Sequence, residues 1–299
     1  MLTDLLRRRR YARIQQKEEQ GFRRQWFLLC GPASKASLLN PSSASLRKLF
    51  PPTDRVWADP FLWKWGEELY IFCEEWIYSQ PHGHIAVMQL TRDGSVSPTR
   101  PVLTKDHHLS YPFLFEYEGV LHMMPEGCAG RALEVYVCEE FPNRWRKRAT
   151  LMQNLEAGDA TLLEHGEKWW LFVTLKRGLF RFNRDLFVFW ADTPITDQWT
   201  PHPDNPVVRG IECARPAGPF FELGGKLYRP SQNSLIRYGH SLRINEMLQL
   251  DTKRYAERLV TEVRPDWGAG IRATHHINWR DGMLVMDAQR LLPQGEISA

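Results

Sequence analysis

No stretch of this chain comes near the ~18 consecutive apolar residues that would cross a bilayer. The opening residues Met1–Leu6 meet arginines too soon to read as a secretory leader. Cysteine is scarce and unpatterned. The five (Cys30, Cys73, Cys128, Cys138 and Cys213) are odd in number, scattered and without a CxxC pair. That argues against a disulfide framework and for free thiols in a reducing compartment. A soluble cytoplasmic protein is the expectation. The GxGxxG, P-loop and GxSxG signatures are also missing, and no cofactor is expected. His107–His108 and His275–His276 are adjacent pairs. Neighbouring strand residues face opposite ways, so each pair offers at most one ligand and no metal set emerges.

Basic charge is lacking from most of the chain as well. The net charge is +4, yet Arg7, Arg8, Arg9, Arg10, Arg13, Lys17, Arg23 and Arg24 face only Asp4, Glu18 and Glu19 in the first 24 residues. The remainder is close to neutral, which excludes a broad polyanion-binding surface and gives no support to nucleic acid as a partner. Residues 1–24 have no Gly or Pro before Gly21 and read as a short helical, basic arm. A solvated arm is favoured over contact with a membrane, because a lone basic cluster binds lipid weakly.

What the chain does have is aromatics and hairpins. Twelve Trp, nine Tyr and fifteen Phe favour strands. The stretch Trp57–Glu75, WADPFLWKWGEELYIFCEE, is two apolar runs around a Gly-bearing turn, which is the pattern of a β-hairpin. Similar units open at Tyr111, Asp159, Arg215 and Thr274. Their spacing of about fifty residues, with four short strands per unit, matches a propeller blade. The fifth unit has only two strands before the chain ends. Gln25–Gly31 and Ser45–Phe50 supply the missing two, so that an N-terminal strand closes the ring and hides its edges. The expected fold is all-β: a five-bladed β-propeller over residues 25–299, preceded by the arm.

In a propeller the first strand of each blade lines the axis, and its start lies beside the end of the second strand. The repeat therefore places Asp59, Tyr111, Asp159, Arg215 and His275 around one end of the axis. It places Glu74 and Glu75, Glu126, Thr174, Arg229 with Gln232, and Asp287 beside them. The link before the second blade adds His107 and His108. Several carboxylates around one axis are costly unless paired or used, and Arg215 and Arg229 are the candidate partners. Two such carboxylates suit glycoside chemistry, one protonating the leaving oxygen and another activating water or attacking.

At these residues the chain resembles a known family. WADPF, HLSYPF, MPEG, DATLLEH, FPNRW, PHPDNPV, ARPAG, LYRPSQN, RYG and ATHHIN are similar to motifs of the N-terminal domain of plant glucosamine inositolphosphorylceramide transferase and its bacterial relatives. That domain in turn is similar to the five-bladed propellers of family 43 glycoside hydrolases. The resemblance implies sugar or nucleotide-sugar chemistry. It assigns Asp59 the role of general base and Asp159 that of the carboxylate tuning the acid's pKa. Those hydrolases carry their acid in a Glu-Gly-Pro motif opening the fourth blade. Here Ala217-Gly218-Pro219 stands at that place, so Glu126 is the substitute acid, with Glu212 second.

The site expected from all this has Asp59, Glu126 and Asp159 as catalytic groups. Glu75, His108, Tyr111, Arg215, Arg229, Gln232, His275 and Asp287 bind a sugar, oligosaccharide or nucleotide sugar. One reading is an enzyme, glycoside hydrolase-like or glycosyl-transferring. The alternative is a non-catalytic carbohydrate-binding module working with a separate transferase; a protein-interaction scaffold is a third.

Overall fold

The computed structural model describes residues 20–42, 45–91, 94–176, 184–268 and 270–294. Most of the basic arm lies outside these residues. The first strand, β1 (Phe22–Pro32), begins within the segment read as arm and is followed by β2 (Arg47–Leu49). Blade one is β3 (Arg55–Trp65), β4 (Glu68–Ile77), β5 (His84–Leu90) and β6 (Arg100–Leu103). Blade two is β7 (Ser110–Tyr117), β8 (Val120–Glu126), β9 (Ala132–Glu140) and β10 (Arg144–Gln153). Blade three runs from β11 (Ala157–His165) and β12 (Lys168–Leu175) to β13 (Asp185–Ala191) and β14 (Thr200–Pro201). A fifth strand, β15 (Val208–Arg209), also pairs β13. Blade four is β16 (Phe221–Leu223), β17 (Lys226–Asn233), β18 (Ser241–Leu250) and β19 (Tyr255–Val263). β20 (Ile277–Arg280) and β21 (Met283–Pro293) complete the ring as blade five, in the order β2-β1-β21-β20.

The ring is closed as the repeat requires. β1 pairs antiparallel with β21 from Phe22↔Pro293 to Pro32↔Met283. This ladder ties the two ends of the chain together and leaves no open seam between first and last blade. The innermost hairpins close on tight turns. Glu118–Gly119, Gly166–Glu167, Gly224–Gly225 and Asp281–Gly282 each hold positive φ at both central residues, the twist that two-residue hairpins demand.

The core sits between blades. Phe61, Phe72, Phe113, Met123 and Leu171 join blades one to three. Leu28, Cys30, Ile71, Cys73 and Val285 join blade five to blade one. All five cysteines are free. Among the described residues no helix is long and apolar enough to cross a membrane.

One irregularity recurs and positions the site. In β3, β7 and β11 the register slips between Ala58 and Phe61, Ser110 and Phe113, and Gly158 and Thr161. Each slip is a β-bulge that re-aims a side chain. The residues in it are Asp59, Tyr111 and Asp159, with φ of 51, 45 and 47°. A non-glycine residue in the left-handed region costs on the order of 1 kcal/mol and persists only where its surroundings impose it. Three blades impose it at the same place.

Candidate functional site

The bulges bring the sequence-derived residues into two hydrogen-bonded groups at one end of the axis. The first is built on Asp159 and Arg215. Arg215 Nε donates to Asp159 Oδ2 at 2.5 Å, and its Nη2 reaches Asp159 Oδ1 at 2.9 Å and Glu126 Oε2 at 3.0 Å. The Asp159 backbone N–H donates to Glu126 Oε2 at 2.9 Å, and Gln232 Nε2 donates to Asp159 Oδ2 at 2.7 Å. Tyr111 braces this group from behind. Its hydroxyl accepts from the Gly218 N–H at 3.0 Å and lies 2.8 Å from Thr161 Oγ1, which donates to the Asp159 carbonyl.

The two carboxyls of this group are driven apart. Burial lifts the Glu126 carboxyl well above the usual range; Arg215 opposes this, and the charge of Asp159 adds to it. Burial would lift Asp159 as well, but the Arg215 guanidinium and the bonds it makes hold Asp159 below its ordinary value. The result is one carboxyl biased toward protonation beside one held ionised, the arrangement by which a site separates acid from base.

The second group is built on Asp287. Its oxygens accept the backbone N–H groups of His275 at 2.8 Å, His276 at 3.0 Å and Asp59 at 3.2 Å, and Oδ2 lies 2.5 Å from His275 Nδ1. Burial opposes charge on His275, yet Asp287 and then Asp59 outweigh it and push its pKa up to about 9. Burial would raise Asp287, and His275 outweighs this and holds it below the usual range. Asp59, 3.8 Å from both His275 Nδ1 and His276 Nδ1, is raised well above its usual value by burial, with His275 only partly compensating. His276 is pushed down to about 3 by burial, and neither of its ring nitrogens has a hydrogen-bond partner. The second group thus repeats the first: one cation, one ionised carboxylate, one carboxyl biased toward its neutral form.

Asp59, His275 and Asp287 each offer a ligand atom within 4.8 Å of the others. A cation placed there would have to displace any proton on His275 Nδ1.

Two residues expected in the site are not brought to it. Arg229 turns into its own blade, where Nε and Nη2 reach Glu257 at 2.7 and 2.6 Å and Nη2 also reaches the Cys213 carbonyl. Glu75 is buried in a separate network with Trp57, Thr99, His84 and Arg55. Asp287 and Tyr111 are present but wholly buried, and both serve as braces. His108 stands at the rim, its Nε2 3.1 Å from Glu74 Oε1.

Of the Glu74–Glu75 pair, Glu74 is the one that reaches His108. On β4, Ile71 and Cys73 face blade five while Phe72 faces blade two; strand alternation puts Glu75 with the former and Glu74 with the latter. The parity was readable, but not which face it served. Tyr238 entered only as part of the RYG motif, with no site role drawn from it, and Trp26 carried no signal. Tyr238 is 39% exposed, with Arg215 Cζ 5.4 Å from its ring centroid and its edge against His275 at 5.4 Å. Trp26, from the closing strand, stacks on His275 at 4.0 Å. Ala217, where the resembling hydrolases carry their acid, is fully buried in the core between blades four and five.

Comparison with known proteins agrees with this architecture. The family model described as glucosamine inositolphosphorylceramide transferase 1, N-terminal, matches residues 39–290. A protein of Oryza sativa subsp. japonica named glucosamine inositolphosphorylceramide transferase 1 is 31% identical over 256 residues, 80% of this chain and 34% of its own length. The Arabidopsis thaliana protein of the same name is 30% identical over 204 residues, 67% of this chain and 26% of its own. The chain thus spans about a third of the length of these relatives or less. Among solved structures, a Cellvibrio cellulosa α-L-arabinanase complexed with arabinohexaose superposes with a TM-score of 0.56 at 14% identity, covering 81% of this chain and 91% of that one. A thermostable family-43 glycoside hydrolase gives 0.53 at 12% identity, covering 73% and 82%. At such identities the likeness is one of fold.

Proposed function

We propose, from the premise that this chain belongs to the family of the glucosamine inositolphosphorylceramide transferase 1 N-terminal domain, that its well binds a glycosyl group and acts on it by carboxylate acid–base catalysis. The observation that carries this reading is the split within the first group: Glu126 biased toward its protonated form, Asp159 held ionised by Arg215. Glu126 retains some access to solvent while Asp159 has almost none, so Glu126 is the group that meets substrate and donates a proton to the leaving oxygen. Asp159 and Arg215 set its pKa and orientation. Asp59, once ionised, is the base or nucleophile on the other side of the well. Tyr238, beside Arg215 at the mouth, supplies an aromatic face for a sugar ring.

A second reading is favoured by one observation. Arg215 bridges Glu126 and Asp159 directly, which suits a binding module that presents a fixed polar floor and leaves chemistry to a partner transferase. Nucleotide sugars and oligosaccharides screened for both binding and turnover separate the two, with Glu126→Gln and Asp59→Asn run alongside. Turnover abolished by Glu126→Gln while binding persists supports the enzyme. Binding without turnover in the wild type supports the module. Turnover unchanged in both variants removes these carboxyls from the mechanism.

A further inference from the structure

At the end of the axis opposite the well the structure holds a cavity of about 560 Å³. It is lined by the distal halves of the inner strands: Phe61 and Leu62 of β3, Leu114 of β7, and Asn278, Trp279 and Arg280 of β20. Phe220 and Glu222 flank it, and Lys35 caps it. Phe61 forms the partition, with its ring 4.5 Å from His276 and 5.1 Å from Tyr111 on the well side. The cavity is therefore a separate compartment, and no residue assigned to acid–base chemistry lines it.

We propose that this cavity is a second carbohydrate site and that it takes a neutral sugar ring. Its volume falls within the range of small-ligand pockets, and its walls combine two kinds of surface. One is aromatic and apolar: Trp279, Phe220, Leu62 and Leu114. The Trp279 indole N–H is committed to the Ala33 carbonyl at 2.8 Å, and Lys35 Nζ lies 5.7 Å from the ring centroid. The ring is thereby held as a platform with its own donor spoken for. The other surface is a rim of hydrogen-bonding groups: Lys35, Arg280, Glu222, Asp281 and Asn278. Asn278 is oriented by its Oδ1, which accepts the Leu62 N–H at 3.0 Å.

The charges decide the ligand class. Two cations face two carboxylates, and Arg280 Nε already lies 3.8 Å from Asp281 Oδ2, so the rim has no net charge with which to select an anion. A phosphate would gain nothing from such a balanced rim. An acyl chain would strip water from four charged groups without replacing their hydrogen bonds. A sugar ring offers a C–H face for the platform and a belt of hydroxyls that donate to the carboxylates and accept from Lys35, Arg280 and the Asn278 amide. That matches both surfaces at once.

Calorimetry of the whole chain with arabinohexaose and with mannotriose, and with glucose 6-phosphate as the anionic contrast, tests this. Glu222→Ala and Lys35→Ala alter exposed or half-exposed side chains and leave the core intact; Trp279→Phe keeps the platform but drops the indole N–H. At least one neutral saccharide binds, and Glu222→Ala or Lys35→Ala weakens that binding about tenfold (about 1.4 kcal/mol). Trp279→Phe retains it. The proposal is overturned if neither neutral saccharide binds, or if glucose 6-phosphate binds more tightly than both. It is equally overturned if saccharide binding responds to neither Glu222→Ala nor Lys35→Ala. In that last case the well would remain a sugar site and only this cavity would be lost.

Discussion

Replacing Arg215 by methionine keeps an unbranched apolar stem and removes the charge that organises the well. Arg215 makes two bonds to Asp159, at 2.5 and 2.9 Å, and one to Glu126 at 3.0 Å, with its own side chain 10% exposed. Its loss leaves the buried Asp159 carboxylate with the Gln232 amide and only the more distant charge of His275. Breaking a buried pair from one side costs about 3–5 kcal/mol at neutral pH. The cost depends on pH in a defined direction. In the wild type Asp159 is held below its unfolded value. Its contribution is therefore fully present above the unfolded carboxylate pKa and is lost as pH falls through the folded one. In the variant burial is largely uncompensated and the same carboxyl moves above its unfolded value, so its ionised form opposes folding only at higher pH. Both effects make the gap between the two proteins widest near neutrality. Urea unfolding of wild type and Arg215→Met at about pH 7 and about pH 4 measures it. The double variant Arg215→Met/Asp159→Asn recovers much of the loss at the higher pH. A loss under about 1 kcal/mol at pH 7, an equal loss at both pH values, or no recovery in the double variant would refute the role given to this pair.

Three further outcomes follow from the same geometry. Carboxyl-carbon NMR shows two carboxyls titrating above the ordinary range of about 4, and Asp59→Asn and Glu126→Gln each remove one; for these two groups folding is favoured toward acid pH, opposite in sign to Asp159. Titrations in which every carboxyl falls in the ordinary range would sink the acid–base assignment. Glu75, lowered to about 2 because its bonds to His84, Trp57 and Thr99 outweigh burial, contributes stability that is present above the unfolded pKa and lost as pH drops toward 2. Glu75→Gln costs on the order of 2–3 kcal/mol at neutral pH and flattens acid unfolding, with ligand binding untouched; altered binding would return Glu75 to the site. Arg229→Met strands Glu257 and destabilises by about 3–5 kcal/mol while saccharide affinity holds, and a change in affinity at unchanged fold would show that Arg229 reaches ligand after all.

The repeat made the ring legible. Hairpins recurring at blade spacing, each with a Gly turn, imply both the number of blades and the need for an N-terminal strand in the last one, because a propeller with an open seam would expose an edge. The same repeat located Asp59, Tyr111 and Asp159, since equivalent positions of equivalent blades share an environment. The left-handed bulge that holds all three was not readable, because no glycine marks it.

Periodicity determined which residues approach the axis, and that much belonged to the chain alone. It had no means to pair them. Arg229 and Arg215 are both arginines near the top of blade four, yet one spends its charge on Glu257 in an outer strand and the other on Asp159 a blade away; partners so distant along the chain meet only when the ring closes. Protonation follows the same logic. Glu126 is half-buried and Asp159 buried, and the three-dimensional position of a single guanidinium biases the first toward its neutral form and holds the second toward its ionised one.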